Sequence, residues 1–271
     1  MNGSPEPIQF DTSKGTVQIR ELSGIDDMQA AEEIQLAVWG ADIHPHPKEI
    51  LIPIQHEGGL LAGAFSGSTM AGLVFSFNTR DQAAQHSQIL ATRSEWRGQG
   101  IGARLKWFQR AWCLARSYRI VRWTVDPLRA ANAALNIHQL GGQASTYYED
   151  YYGAMQGIDA GVPSDRLLLE WHLDSPRVAE RAARRLPDPG QEGFEACLTV
   201  QNGAPAAPRF DLDGKPVSMP LPEDFIHLTR TDLALAAAWR MQTRALFLHY
   251  FSVGYQITGF TRAGGPAYLL T

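Results

Sequence analysis

Three glycines stand at alternate positions in Arg97-Gly98-Gln99-Gly100-Ile101-Gly102, between an extended run (His86 to Thr92) and a helical run (Ile101 to Arg116). Glycines remove the Cβ atoms that would hold a ligand off the main chain. The helix that follows leaves its first amides unpaired, with the positive end of its dipole behind them. A strand, a bare loop and a helix mouth in that order form a phosphate cradle. The spacing G-x-G-x-G is not the dinucleotide fingerprint G-x-G-x-x-G, and the Gly-Lys-Ser/Thr of a Walker A loop is missing.

The remaining chain can be ordered from periodicity and breakers. Residues 1 to 16, rich in Pro, Ser and Gly, read as a loose tail. Val17 to Leu22 alternates and reads as a strand. Ile25 to Trp39 reads as a helix with Ser23 or Asp26 as N-cap, and Lys48 to His56 as a second helix stopped by Gly58-Gly59. Leu60 to Phe65 and Ala71 to Phe77 form an expected hairpin. After the glycine stretch, Ile101, Leu105, Phe108, Trp112 and Ala115 make one apolar helical stripe. Ile120 to Val125 is an expected strand and Leu128 to Leu140 an expected helix ended by Gly141-Gly142. Strands at Gln143 to Tyr152 and Arg166 to Leu173 complete a first domain over 17–173. In 174–271, Pro176 to Gly193 reads as a helical turn plus linker, Phe194 to Val200 as a strand, and Ala204 to Pro222 as a loop with a short hairpin. A strand Phe225 to Thr229, a helix Asp232 to Phe251 and strands Tyr255 to Phe260 and Ala267 to Leu270 then repeat the strand–helix–hairpin pattern of 120–173. One reading is a half-module without a phosphate loop; the other is an unrelated small α+β appendage.

With 271 residues, 44% hydrophobic, the chain can bury a sizeable core. A net charge of -4 without a basic run offers no nucleic-acid footprint. Cys113 and Cys197, the two cysteines, cannot build a disulfide framework or a metal site. The start lacks a basic-then-apolar leader, and no run of ~18 apolar residues could span a membrane, so the expected setting is cytoplasmic.

The stretch SEWRGQGIGARL resembles the acetyl-CoA-binding motif Q/R-x-x-G-x-G/A of the GNAT superfamily of N-acyltransferases, with Arg97, Gly100 and Gly102 at its three specified positions. Together with WTVDPLRAANAALNIHQLGG and GVPSDRLLLEW it is similar to a subfamily carrying an extra C-terminal segment. The resemblance implies an α+β, three-layer fold with a mixed, mostly antiparallel sheet and flanking helices. It implies that Leu90, Ala91 and Thr92 bind the pantetheine arm of acetyl-CoA. The diphosphate would rest on Gly98, Gln99, Gly100, Ile101 and Gly102 beside Arg97, and Asn132 would touch the same donor. Asp126 either gathers near the ligand or caps the turn at Pro127. Where the family often carries an acidic tyrosine, four residues before Gly141, this chain has Ile137, which cannot give up a proton.

Tyr147 or Tyr148 on the next strand are substitute acids, although aromatic clusters more often serve packing. His86 is the candidate base, its imidazole titrating near ~6.5. Trp39, His44, His46, His56 and Glu57 are candidates to line the acceptor pocket, and no metal is expected at His44-x-His46 because spaced Cys or carboxylate partners are lacking. Asp165-Arg166 is a further pair of the subfamily, or else a surface ion pair. The resulting expectation is an N-acetyltransferase acting on a small-molecule amine, compatible with a homodimer. The alternative is a GNAT-fold protein that binds or senses acyl-CoA without turnover.

Overall fold

A computed structural model describes residues 5–40, 44–154 and 161–271. The chain forms two compact units, one of residues 1–123 with 172–175 and one of 124–171 with 176–271. The division falls within the strand Ile120–Val125.

In the first unit β1 (Ile8–Thr12), β2 (Gly15–Glu21), α1 (Gly24–Trp39), α2 (Lys48–His56), β3 (Leu60–Ser66), β4 (Thr69–Asn78), β5 (Ala84–Thr92), α3 (Ile101–Ala115) and β6 (Ile120–Val125) follow in order. The strands pair in sequence, antiparallel from β1 to β5 and parallel between β5 and β6. One face carries Leu61, Leu73, Phe75, Ile89 and Ala91, which bury themselves against Met28, Ala31 and Ile34 of α1 and Leu51 of α2. Gly72 faces the other way: a Cβ there would lie 2.7 Å from Ile101 and 2.9 Å from Leu105. Its missing side chain lets α3 seat directly on β4.

Part of the expected loose tail is instead strand. Ile8–Thr12 pairs with Gly15 to Ile19 and closes on Ser13-Lys14, a two-residue turn that composition alone concealed. The expected caps of α1 differ as well. Ser23 makes no side-chain capping bond; its amide donates to Asp27, which also pairs with Arg20.

The second unit holds α4 (Ala130–Ala133), continued by a π-helical turn (Ala134–Gln139), then β7 (Gln143–Tyr148) and β8 (Arg166–His172). After them come α5 (Pro176–Ala183), β9 (Glu195–Ala196), β10 (Thr199–Gln201), β11 (Ala204–Ala206), β12 (Val217–Pro220), α6 (Phe225–Thr231), α7 (Leu233–Ser252), β13 (Ile257–Thr261) and β14 (Ala267–Leu270). Its strands run β8-β7-β13-β14-β12-β9, antiparallel except for β12 with β9. Trp171, Trp239, Phe247, Tyr250, Phe260 and Tyr268 fill its core.

Several expectations over this half change. The helix expected over 128–140 is four α residues and a π turn, and the strand expected over Phe194 to Val200 splits into β9 and β10. Phe225 to Thr229 is helical. Its β-branched and aromatic residues suit a strand, but the Asp224 carboxylate accepts from the His227 amide at 2.9 Å and starts a helix. The strand that precedes the helices and the hairpin is therefore β12, which pairs with β14. Asp224→Ala is expected to lower unfolding stability by about 1 kcal/mol, read by urea denaturation. A change below about 0.2 kcal/mol would show that the cap adds nothing.

Candidate active site

The glycine loop leaves β5 through a 3₁₀ turn (Ser94–Trp96) whose Trp96 side chain is buried. Arg97, Gly98 and Gly100 are exposed. Gly98 and Gly100 adopt φ of 78° and 73°, left-handed values that few other residues hold. Gly100 is the N-cap of α3, and the first bond it accepts comes from Arg104 N at 3.2 Å. Among the described residues the amides of Gly98 through Gly102 have no protein acceptor. A helix of 15 residues stands behind them. A row of unpaired amides at a positive helix end, open to solvent and beside an exposed arginine, fits a diphosphate.

The loop is also braced. Gln99 Oε1 accepts from the Ser13 hydroxyl at 2.9 Å and the Ser13 amide at 3.2 Å, and the Arg104 guanidinium lies 4.2 Å from the centroid of the Phe10 ring. The β1–β2 hairpin, invisible to the sequence reading, thus holds the cradle from one side.

Upstream, β5 parts from β6. Among the described residues their parallel pairing covers Ala84–His86 against Ile120–Arg122. At the same point the pairing of β5 with β4 slips: Ser76 opposes Ser87 and Phe75 opposes Ile89, leaving Gln88 as an extra, exposed residue. The stretch carrying Leu90, Ala91 and Thr92 therefore offers a main-chain edge that β6 does not use.

His86 sits at this junction, its ring stacked on Phe77 at 5.1 Å. Phe77 contacts Phe75, and the edge of His46 meets Phe75 at 5.6 Å, so an aromatic row lines this face. Burial, with a smaller contribution from the Lys106 charge, holds the His86 imidazole below its ordinary range. Burial alone does the same for His46, whose amide and ring nitrogen both lie against Gln35 Oε1. Of the other expected lining residues, Trp39 is half-buried and His44, His56 and Glu57 are exposed. Among the described residues no group of three or more metal-binding side chains converges.

On the opposite face lies a group that sequence reasoning passed over. Lys106 is 1% exposed, and its Nζ donates to Gln109 Oε1 at 2.7 Å and to Ser87 Oγ at 3.2 Å. The ammonium stands 3.8 Å from the centroid of the Trp123 ring. Burial lowers its pKa to about 7. The signal was the second row of α3, Lys106, Gln109 and Cys113, polar residues at inward spacing.

The second unit holds the other expected site residues. Asn132 lies half-buried on α4. Ile137 is buried in the π turn, in keeping with an apolar role. Tyr147, a candidate acid, faces a buried carboxylate. Its hydroxyl gives its proton to Asp165 Oδ2 at 2.6 Å, and burial with the neighbouring carboxylate drives its pKa far up. Asp165 is fully buried and also accepts from Arg244 Nη2 at 2.6 Å, so the pair Asp165-Arg166 is not a surface feature. Tyr148 stacks on Tyr151 at 4.9 Å, part of a partly exposed tyrosine cluster. Asp126 does cap the turn, accepting from the Leu128 amide at 2.9 Å, and it anchors Arg240 at 2.6 Å.

No protein-family model and no curated protein matches this sequence. Solved structures similar to it include the ribosomal-protein-S18-alanine N-acetyltransferase of Escherichia coli, at 19% identity over 59% of this chain and 95% of that chain, TM-score 0.49. An N-acetyltransferase of Staphylococcus aureus Mu50 aligns at 15% identity over 58% and 99%, TM-score 0.49. A Salmonella typhimurium protein described as an acetyltransferase, solved with acetyl-CoA, aligns at 16% identity over 64% and 98%, TM-score 0.48. Among the described residues no helix is long and apolar enough to cross a membrane.

Proposed function

We propose that this chain, a GNAT-fold protein, is an acyl-CoA-dependent N-acyltransferase, in the simplest case an acetyltransferase that acylates a small-molecule amine. The observation that carries the reading is the conjunction at β5: an unpaired main-chain edge leading directly into a helix mouth with free amides. An acyl-CoA has matching parts, an amide-bearing arm and a diphosphate. In this reading Leu90, Ala91 and Thr92 bind the arm, and the amides of 98–102 with Arg97 hold the diphosphate.

His86 is the base in this scheme. Its imidazole is held below its ordinary pKa and so stays neutral at pH 7, ready to take a proton from the attacking nitrogen. His46, Phe75 and Phe77 line the same face, where an amine carrying an apolar or aromatic group would pack. Tyr148 takes no part. Residues 174–271 we read as a half-module beginning at β12, without a phosphate loop of its own.

Thiol release from acetyl-CoA over a panel of amines, followed against pH, tests the proposal. His86→Ala is expected to lower kcat roughly a hundredfold. In the parent protein the acid limb of kcat/KM is expected below pH ~6.5, the side to which His86 is shifted. Tight acetyl-CoA binding without release of thiol to any amine would favour the sensing alternative, which the aliphatic Ile137 supports. Absence of acetyl-CoA binding would end both.

A further inference from the structure

We propose that Lys106 and Ser87 form the proton relay to the departing thiolate, in place of the tyrosine that Ile137 displaces. This rests on the transferase reading above, and it concerns atoms that reading leaves idle.

Ser87 occupies the residue at which β5 loses β6 and at which the bulge against β4 begins. Bulges re-aim side chains and gather beside active sites. The donor's arm would end at the same place. From the diphosphate to the sulfur, coenzyme A has a twelve-atom arm, equivalent to about four residues of extended chain or ~14 Å. Residues 88–92, between the cradle and Ser87, cover roughly 17 Å at strand rise. An arm laid along this edge from the glycine loop brings its thioester to the neighbourhood of His86 and Ser87.

Successive side chains of a strand face opposite ways. His86 looks toward the aromatic row, and Ser87 looks toward α3, where its hydroxyl accepts from Lys106 Nζ at 3.2 Å and donates to Gln109 Oε1 at a longer 3.4 Å. Lysine is rarely so fully buried. Its partners include an amide, a hydroxyl and an indole face, which hold the ammonium in place. Gln109 turns its carbonyl toward Lys106 and keeps Nε2 buried with no partner among the described residues, an arrangement that fixes the amide as an acceptor for the ammonium. A lysine whose pKa has fallen to about 7 gives up a proton near neutral pH, as an ordinary lysine does not. The titratable groups coupled to it include His86 on β5 and Cys113 on α3, while β6 presents Trp123. The Cys113 thiol is pushed up to about 12 and stays neutral throughout this range.

The step balances. The neutral amine attacks the thioester carbonyl, and the C–S bond breaks with its electron pair on sulfur. The Ser87 hydroxyl gives its proton to the sulfur as it takes one from the Lys106 ammonium. The proton shed by the attacking nitrogen passes to His86 and on to solvent, and solvent recharges Lys106. Acid and base stand on opposite faces of one strand, one residue apart.

The test is the pH dependence of kcat in the parent, Lys106→Met, Ser87→Ala and Ser87→Thr proteins, with acetyl-CoA affinity measured beside it by calorimetry. The parent is expected to lose kcat on the alkaline side with an apparent pKa near 7. Lys106→Met should lower kcat at least about tenfold and abolish that limb while acetyl-CoA affinity changes less than about twofold. Ser87→Ala should show the same loss, and Ser87→Thr, which keeps the hydroxyl, should recover most of it. Should Lys106→Met not fold, the Ser87 pair decides alone. Unchanged kcat and an unchanged alkaline limb in Ser87→Ala overturn the relay and leave the transferase standing. A parent that binds acetyl-CoA and releases no thiol overturns both.

Discussion

Gly100→Val is expected to weaken acetyl-CoA binding roughly a thousandfold while the protein stays folded. The residue sits at φ 73°, a left-handed value that a β-branched side chain resists. A Cβ would also come within 2.5 Å of Arg104 Nη1, but that is the tip of a flexible side chain and can swing aside. The backbone cannot yield so cheaply. Pulling Gly100 toward negative φ would turn the amides of 100–102 away from a common point, at the mouth where α3 begins. Two or three hydrogen bonds to a charged group, at about 1.5 kcal/mol or more each, amount to some 4 kcal/mol, or three decades of affinity. Because the cradle is exposed, α3 keeps its buried stripe and the melting temperature should move only a few degrees. Calorimetry decides: an affinity within about threefold of the parent would mean that the diphosphate lies elsewhere.

Arg240→Met is expected to destabilise the second unit by about 3 kcal/mol, with no comparable loss from the double variant Arg240→Met with Asp126→Asn. Arg240 is wholly buried on α7, its Nη2 donating to Asp126 Oδ2 at 2.6 Å, with Arg166 as a more distant partner at 3.6 Å. Removing one member of a buried pair leaves the other charge in a poor solvent, a cost of about 3–5 kcal/mol. Arg166 offsets part of that. Neutralising Asp126 as well removes the stranded charge and keeps a side-chain oxygen for the Leu128 amide. Arg240 also buries Nε and Nη1 without hydrogen-bond partners among the described residues, so a methionine relieves two unsatisfied donors. Urea denaturation of both variants forms a cycle. If the double variant is as unstable as the single one, the arginine's role is packing over Phe225, whose ring centroid lies 4.9 Å from its guanidinium carbon.

The alternation of β2, the apolar runs of β3 and β4, the stripe of α1 and the glycine stretch before α3 were legible because each is a local pattern with a local cause. Breakers work over one to four residues, so Gly58-Gly59 and Gly141-Gly142 ended their helices where expected. The errors also have local causes. Ile8–Thr12 is a short strand hidden in a Pro- and Ser-rich stretch, and Asp224 overrode the strand propensity of the residues behind it with one capping bond.

By itself the sequence determined the order of elements and the bare loop at the helix mouth, since backbone freedom and hydrophobic period are properties of neighbouring residues. It also determined that Ile137 cannot give up a proton, which is a matter of side-chain chemistry. Only the tertiary structure decided which ionisable groups are spoken for. Tyr147 is committed to Asp165, 18 residues away, and Lys106 is held against Ser87, 19 residues away. Burial and partner choice shift a pKa, and both depend on which distant segments meet, so no reading of spacing along the chain could have found the partners of Tyr147 and Lys106.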